Sequence, residues 1–176
     1  MIRRVNEEER EKEEYVRMRK TLWPHASDSE HRQDIEHTTK GIPFYKNEWK
    51  WQVFVIERPN RSLGGFIELS LYPELPFVDS KPVAYIEGWY VDVDLQRQGF
   101  GRKLVHAGKG WALEQGCLEI ASDVECDNVG SQEAHMSLGF RESHRSNEEV
   151  YYNKYIEKRG HYDQSWNHQT WEYSVE

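Results

Sequence analysis

Val91-Asp92-Val93-Asp94-Leu95-Gln96-Arg97-Gln98-Gly99-Phe100-Gly101-Arg102 is the stretch from which the fold of this chain can be read. The segment leading into it, VAYIEGWYVDV (83–93), reads as a strand. The segment leaving it, Gly99 to Gln115, reads as a helix with Leu104, Ala107, Gly108 and Trp111 on one face and a stop at Gly116. A Gln-x-x-Gly-x-Gly loop therefore opens a helix straight after a strand. Its glycines let the backbone approach a ligand closely, and the first helical N–H groups have no partner inside the helix. Such a helix start attracts anions, and a pyrophosphate fits it. The charges agree, because residues 97–109 hold Arg97, Arg102, Lys103 and Lys109 with no acid among them. The bland alternative is an ordinary strand–helix turn with glycines for tightness. The dinucleotide fingerprint needs G-x-G-x-x-G in an early βαβ unit, and a P-loop needs Gly-Lys-Ser/Thr; neither is present.

Working outward, EEEREKEEYVRMRK (7–20) predicts a helix with Asn6 as N-cap, ended by Trp23-Pro24. A second helix is predicted from Asp28-Ser29 to Gly41. The period then shortens to two. WQVFVIE (51–57) and GGFIELSLY (64–72) read as strands joined by a turn at Pro59-Asn60-Arg61-Ser62. Gly88, in the middle of the third strand, marks a bulge or a close backbone approach. CLEIASDV (117–124) is a further strand, NVGSQEAHMSLG (128–139) a short helix, and FRESHRS (140–146) with VYYNKYI (150–156) a final strand pair. This alternation predicts an α/β domain over residues 1–156, with a mixed, mostly antiparallel central sheet and helices on both faces. Residues 157–176 show no period and carry two Trp and two Tyr, which suggests a C-terminal extension that docks somewhere.

Composition narrows the function. The chain is hydrophilic, with a mean hydropathy of −0.93, yet 13% aromatic, which argues against disorder. No apolar run approaches the ~18–20 residues of a membrane span, and the first residues lack a secretory signal, so a cytoplasmic protein is expected. Two cysteines, Cys117 and Cys126, make no disulfide framework. A net charge of −8 argues against nucleic acid and for cationic ligands, although many soluble proteins are acidic for solubility alone.

The element order and Gln96-Arg97-Gln98-Gly99-Phe100-Gly101 resemble the GNAT superfamily of acyl-coenzyme A N-acyltransferases, and so do Asn128, Ser131, His135 and Leu138-Gly139-Phe140. Leu22-Trp23-Pro24, Ile86-Glu87-Gly88-Trp89-Tyr90-Val91 and Ala121-Ser122-Asp123 more narrowly resemble bacterial aminoglycoside 6′-N-acetyltransferases. The likeness runs from residue 1 to about residue 155, and the tail departs from it. The resemblance implies acetyl-coenzyme A as cosubstrate. Its site would comprise Trp89, Tyr90, Val91, Arg97, Gln98, Gly99, Phe100, Gly101, Arg102 and Asn128. It also implies a polycationic aminoglycoside as acceptor.

The residues offer a check on that acceptor. Glu68, Glu74, Asp79, Glu87, Asp92 and Asp94 precede the basic helix, and Glu119, Asp123, Glu125 and Asp127 follow it. Acidic walls would gather a multiply charged amine. Most of these carboxylates are expected simply to face water. Glu87 and Asp123 interrupt apolar strands, so they are expected at a site, holding ammonium groups and taking the proton an amine must lose before it attacks. Trp23, Trp89, Tyr72 and Tyr90 are candidates to stack on sugars or meet ammonium groups, with Trp23 and Tyr72 joining Glu87 and Asp123 as the substrate set. A backbone N–H near Tyr90 or Val91 would serve the thioester oxygen. His135 is a candidate general acid for the thiolate, with a satisfied structural histidine as its alternative. No covalent intermediate is expected, since Cys117 opens a strand as an ordinary buried thiol would, and no metal, since neither the cysteines nor His25, His31, His37, His161 and His168 have the spacing of a zinc site. Polyamine or protein N-acetylation and a non-catalytic acyl-coenzyme A sensor are the rival readings. The number of subunits stays open, a homodimer being one alternative.

Overall fold

The strand–helix junction at Gly99 stands where the pattern places it in a computed structural model, which describes residues 1–43 and 50–156. In chain order the elements are β1 (Ile2–Arg4), α1 (Glu9–Leu22), α2 (Asp28–Lys40), β2 (Lys50–Glu57), β3 (Leu63–Tyr72) and β4 (Val83–Val91). A 3₁₀ turn (Val93–Leu95) leads to α3 (Phe100–Glu114), β5 (Glu119–Glu125), α4 (Val129–Ser137), β6 (Arg141–Arg145) and β7 (Glu149–Tyr155). The sheet has seven strands in the order β1-β2-β3-β4-β5-β7-β6. Among the described residues only β4 and β5 pair in parallel. This is the mixed, mostly antiparallel sheet that the alternation predicts.

Each helix forms for local reasons and is then held by packing. Ser27 caps α2 in a reciprocal box with Glu30, and Gly41 closes it in the left-handed region at φ 68°. On α3, Leu104, Val105, Trp111 and Ala112 pack against Ile67, Leu69, Ile86 and Ile120 on one face of the sheet. On the opposite face Tyr15, Val16, Met18 and Ile35 of α1 and α2 cover Val53, Val55 and Phe66. Because β3 is covered on both faces, its residues are buried almost without interruption, Glu68 and Ser70 included.

Three expectations needed correction. Ile2–Arg4 forms an edge strand against β2, pairing Ile2 with Ile56, where no strand was expected; three residues are too few to show a period. Asn6 does not cap α1, whose N-cap is Glu8; its side-chain carbonyl accepts from Glu8 N and its amide donates to Glu11. The third strand ends at Val91 rather than Val93, because Val93–Leu95 winds into a 3₁₀ turn in which the Leu95 N–H donates to the Asp92 carbonyl at 2.9 Å. The tail at 157–176, with His161 and His168, lies outside the described residues.

Candidate active site

The site begins where two strands part. The parallel pairing of β4 with β5 runs Ala84–Ile120, Tyr85–Ala121 and Ile86–Ser122, and goes no further. The next residues on the two strands are Glu87 and Asp123. On its other side β4 is out of step with β3 at this same point. Glu68 opposes Gly88 and Leu69 opposes Ile86, so Glu87 is the extra residue of a bulge. A Cβ on Gly88 would run into Trp23 Cη2. The glycine thus serves both a bulge and a close approach. As a result Glu87 and Gly88 both turn to the α1 face, whereas Trp89 turns to α3.

On the α1 face a cavity of about 400 Å³ opens between the β3–β4 connection and β7. Glu87 Oε1 accepts from the Ser70 hydroxyl and from the Tyr72 phenol, the latter at 3.0 Å. Asp123 Oδ1 accepts from the Tyr85 phenol. Both carboxylates line the cavity, together with a third, Glu149, which accepts from Tyr151 Oη at 2.6 Å. Burial raises the Asp123 pKa above the ordinary carboxylate value; the Tyr85 hydrogen bond opposes that rise and the nearby charge of Glu149 adds to it. A raised carboxylate is a better proton acceptor near neutrality than an ordinary one. Glu149 opens β7 one residue before the run VYYNKYI that marks this strand in the sequence. Its only clue was that it precedes an alternating run.

Most of the other carboxylates in the acidic stretches are engaged elsewhere. Glu68 is buried against Arg19, and Asp92 and Asp94 are held by Arg58 and Arg17. Glu74 pairs with Lys81, and Glu119 is buried under the Ser80 N–H and Asn153. Asp79, Glu125 and Asp127 face water. The acid facing the cavity is therefore Glu87, Asp123 and Glu149, fewer charges than the stretches of sequence suggested.

The aromatic candidates separate in the same way. Tyr72 lines the cavity and meets Tyr85 edge-on at 5.9 Å. Trp23 sits beside it, over Gly88. Trp89 lies on the far face, so it cannot stack on a sugar held by Glu87. Tyr90 packs on Phe66 at 6.1 Å and donates to Asp92 at 3.1 Å.

The α3 side has the form of an anion and acyl site. Gly99, at φ 82°, caps α3 without any side-chain hydrogen bond, and Arg97 also lies at positive φ, 59°. Arg97, Gln98 and Arg102 are exposed around this helix start and Phe100 is half-buried. Gln98 Nε2 donates to the Asp94 carbonyl at 2.6 Å and Gln96 Nε2 to the Val91 carbonyl at 3.0 Å, which together shape the loop. Gly101 is needed for a different reason: a Cβ there would lie 2.9 Å from Trp89 Cζ2. Trp89 Nε1 is buried and has no acceptor among the described residues. Beyond Ile86, β4 has no β5 partner, so its edge near Tyr90 and Val91 faces the split. Asn128 caps α4 at the end of β5, its carbonyl accepting from Ser131 N at 3.1 Å.

His135 lies under this face, only 3% exposed. Nδ1 meets the Ser131 carbonyl at 2.8 Å, so Nδ1 carries the proton, and Nε2 accepts from Ser122 Oγ at 3.1 Å. Burial lowers its pKa and keeps the ring neutral. It stacks on Tyr152 and meets Trp89 edge-on. The ring presents no N–H to the cavity, which is the setting of the structural alternative. Burial pushes the Cys117 thiol up to about 11, which leaves it a poor nucleophile. Among the described residues no cluster of three or more His, Cys, Asp or Glu has metal-site geometry, and no helix is long and apolar enough to cross a membrane.

Comparison with known proteins adds three findings. The acetyltransferase (GNAT) family matches residues 9–140. An aminoglycoside N(6′)-acetyltransferase type 1 of Klebsiella aerogenes is 38% identical over 128 residues, covering 73% of this chain and 82% of that protein. One of Serratia marcescens is 32% identical over 141 residues, 80% of this chain and 90% of its own. Among solved structures, AAC(6′)-Iy in complex with the bisubstrate analog CoA-S-monomethyl-acetylneamine superposes with a TM-score of 0.71 at 29% identity, covering 83% of this chain and 93% of that one.

Proposed function

The chain belongs to the acetyltransferase (GNAT) family, and from that membership we infer that it transfers acetyl from acetyl-coenzyme A to the 6′-amine of aminoglycosides. The observation that carries the reading is the convergence of Glu87 and Asp123 in one cavity at the point where β4 and β5 part. Relatives spanning most of the chain are named for this activity, and a structure of the same fold holds both halves of the reaction in one analog.

Residues 1–156 form the catalytic domain in this reading, and 157–176 an extension. The N-terminus of α3, with Arg97, Gln98, Gly99, Phe100, Gly101 and Arg102, takes the pyrophosphate; Trp89, Tyr90, Val91 and Asn128 border the acyl arm. When bound, acetyl-coenzyme A supplies an activated thioester carbonyl. Glu87, Glu149 and Tyr72 hold the cationic sugar, with Trp23 as a side wall. Asp123 accepts a proton from the substrate ammonium and so frees the nitrogen lone pair for attack. A β4 edge N–H near Tyr90 or Val91 donates to the thioester oxygen as charge builds on it. The new C–N bond forms as the C–S bond breaks; the departing sulfur keeps the electron pair and takes up the second proton, which the acylated nitrogen releases. His135 orients Ser122 and Trp89 in this scheme and keeps its own proton on Nδ1, donated to the Ser131 carbonyl. Asp123, Glu87 and the neutral His135 make a site that needs neither a metal nor a cysteine nucleophile.

The enzyme works in the cytoplasm, where its cosubstrate is made. We take it as a homodimer, supported by the wholly exposed edge strand β6; light scattering tests that. The activity is tested by thiol release from acetyl-coenzyme A with kanamycin, spermidine and a lysine peptide side by side. Preference for kanamycin supports the reading. Preference for spermidine or the peptide, or no turnover with any, removes it.

A further inference from the structure

Beneath the acceptor side lies a group of buried charges that the chemistry above does not use. Arg19, on the last turn of α1, is 6% exposed, and Glu68, on β3, is 1% exposed. Arg19 Nη1 donates to Glu68 Oε1, which also accepts from the Tyr15 phenol, and Nη2 donates to Asp34 Oδ2 at 2.6 Å. Arg19 Nε is buried with no acceptor among the described residues. Burying an ion pair is often no more stabilising than apolar packing of the same shape, and an unsatisfied N–H makes it less so. The geometry serves another purpose. The guanidinium lies over the Trp23 ring, 4.6 Å from its centre, while Trp23 caps α1 and its N–H returns to the Arg19 carbonyl at 2.7 Å. The indole is thus caught between the Arg19 plane, Phe66 at 6.2 Å and the backbone of Gly88. One face of the Trp23 ring is thus already occupied by the Arg19 guanidinium.

We propose that Arg19, fixed by Glu68 and Asp34, is a positioning residue of the acceptor site: it clamps Trp23 against Gly88 and so sets the β4 bulge that aims Glu87 into the cavity. A planar guanidinium can bond two carboxylates edgewise while stacking through its face; a lysine ammonium cannot do both. The proposal rests on the assignment of Glu87 to the substrate.

Arg19→Lys keeps the buried charge and loses the plane. It is expected to raise KM for kanamycin about tenfold, with KM for acetyl-coenzyme A changed less than twofold. Trp23→Ala is expected to do the same, and adding Arg19→Lys to it should cost nothing more, since both act through one contact. In hydrogen–deuterium exchange without ligands, amides of residues 86–90 should exchange faster in Arg19→Lys than in the parent. If Arg19→Lys does not fold, the paired change Arg19→Gln with Glu68→Gln removes both charges together and is read in the same way. An unchanged kanamycin KM, equal losses for both substrates, or additive losses in the double variant would overturn the proposal. A parent that does not acetylate kanamycin removes the functional reading instead, and exchange at 86–90 then judges the clamp alone: unchanged exchange overturns it.

Discussion

The two sides of the β4–β5 split are built in opposite ways. The α3 side comes largely from one uninterrupted stretch, Trp89 to Arg102, whose turn, glycines and helix start are local features. The α1 side gathers Trp23, Tyr72, Glu87, Asp123 and Glu149 from five separate elements or connections, and only the sheet register brings them together. A local site tolerates damage elsewhere but is weakened directly when one of its own glycines is lost. An assembled site depends on register, on one bulge and on the groups that hold its side chains in place.

That contrast is broken most sharply by Asp123→Asn. The cavity keeps its shape and loses its proton acceptor, so kcat/KM for kanamycin at pH 7 should fall at least tenfold, about 1.4 kcal/mol of transition-state stabilisation. The stability effect has the opposite sign. A carboxylate whose pKa is higher in the folded protein binds more protons folded than unfolded, so its contribution to stability declines as pH rises through that window. Asp123→Asn should therefore melt no lower than the parent at pH 7, with its relative advantage smaller at pH 3 than at pH 7. Thermal scans at the two pH values, together with the rate, test both halves. A parent-like rate from pH 6 to 9 would end the assignment of Asp123.

Gly101→Ala tests the local side. The added methyl would press on the Trp89 ring at 2.9 Å, so Kd for acetyl-coenzyme A should rise about tenfold, while calorimetry with kanamycin shows little change. Equal losses for both ligands would mean that the two sides are not separable. Gly99 differs, since a Cβ there meets nothing within 4 Å; Gly99→Ala should cost ~1 kcal/mol of stability through its φ of 82°.

Glu149→Gln sharpens the assembled side. Its charge helps to raise the Asp123 pKa, so its removal should move the acid limb of the kcat/KM profile to lower pH and raise KM for kanamycin about threefold. An unmoved limb would detach Glu149 from Asp123. The smallest effect is expected at His135. His135→Gln should lower the melting temperature through its lost bonds to Ser131 and Ser122, ~1–2 kcal/mol, while kcat falls less than threefold and the alkaline limb stays. Disappearance of that limb would restore His135 as the general acid.

These differences also mark how far the chain could be read without coordinates. α2, β2, β3, the helix after Gly99 and the last strand pair each carry a period and a stop signal, so they were legible. β1 was not, because a three-residue strand exists only through its ladder to β2. α1 is capped at Glu8 rather than Asn6, because the Asn6 side-chain carbonyl accepts from the Glu8 N–H, just before the helix, and not from a first-turn N–H.

Glu87 and Asp123 could be picked out as polar interruptions of apolar strands. That they face one cavity could not, because facing depends on the bulge in β4, and a one-residue shift would turn Glu87 to the other side of the sheet. Glu149 was invisible for the same reason, and the partners of Glu68, Asp92 and Asp94 were too. By itself the sequence determined what nearest neighbours along the chain can determine: the order of the elements from α1 onward, the glycine turn that opens α3 and the kind of chemistry available. Tertiary structure alone decided which carboxylates are neutralised and which meet at the split, because pairing and burial are set by groups tens of residues apart.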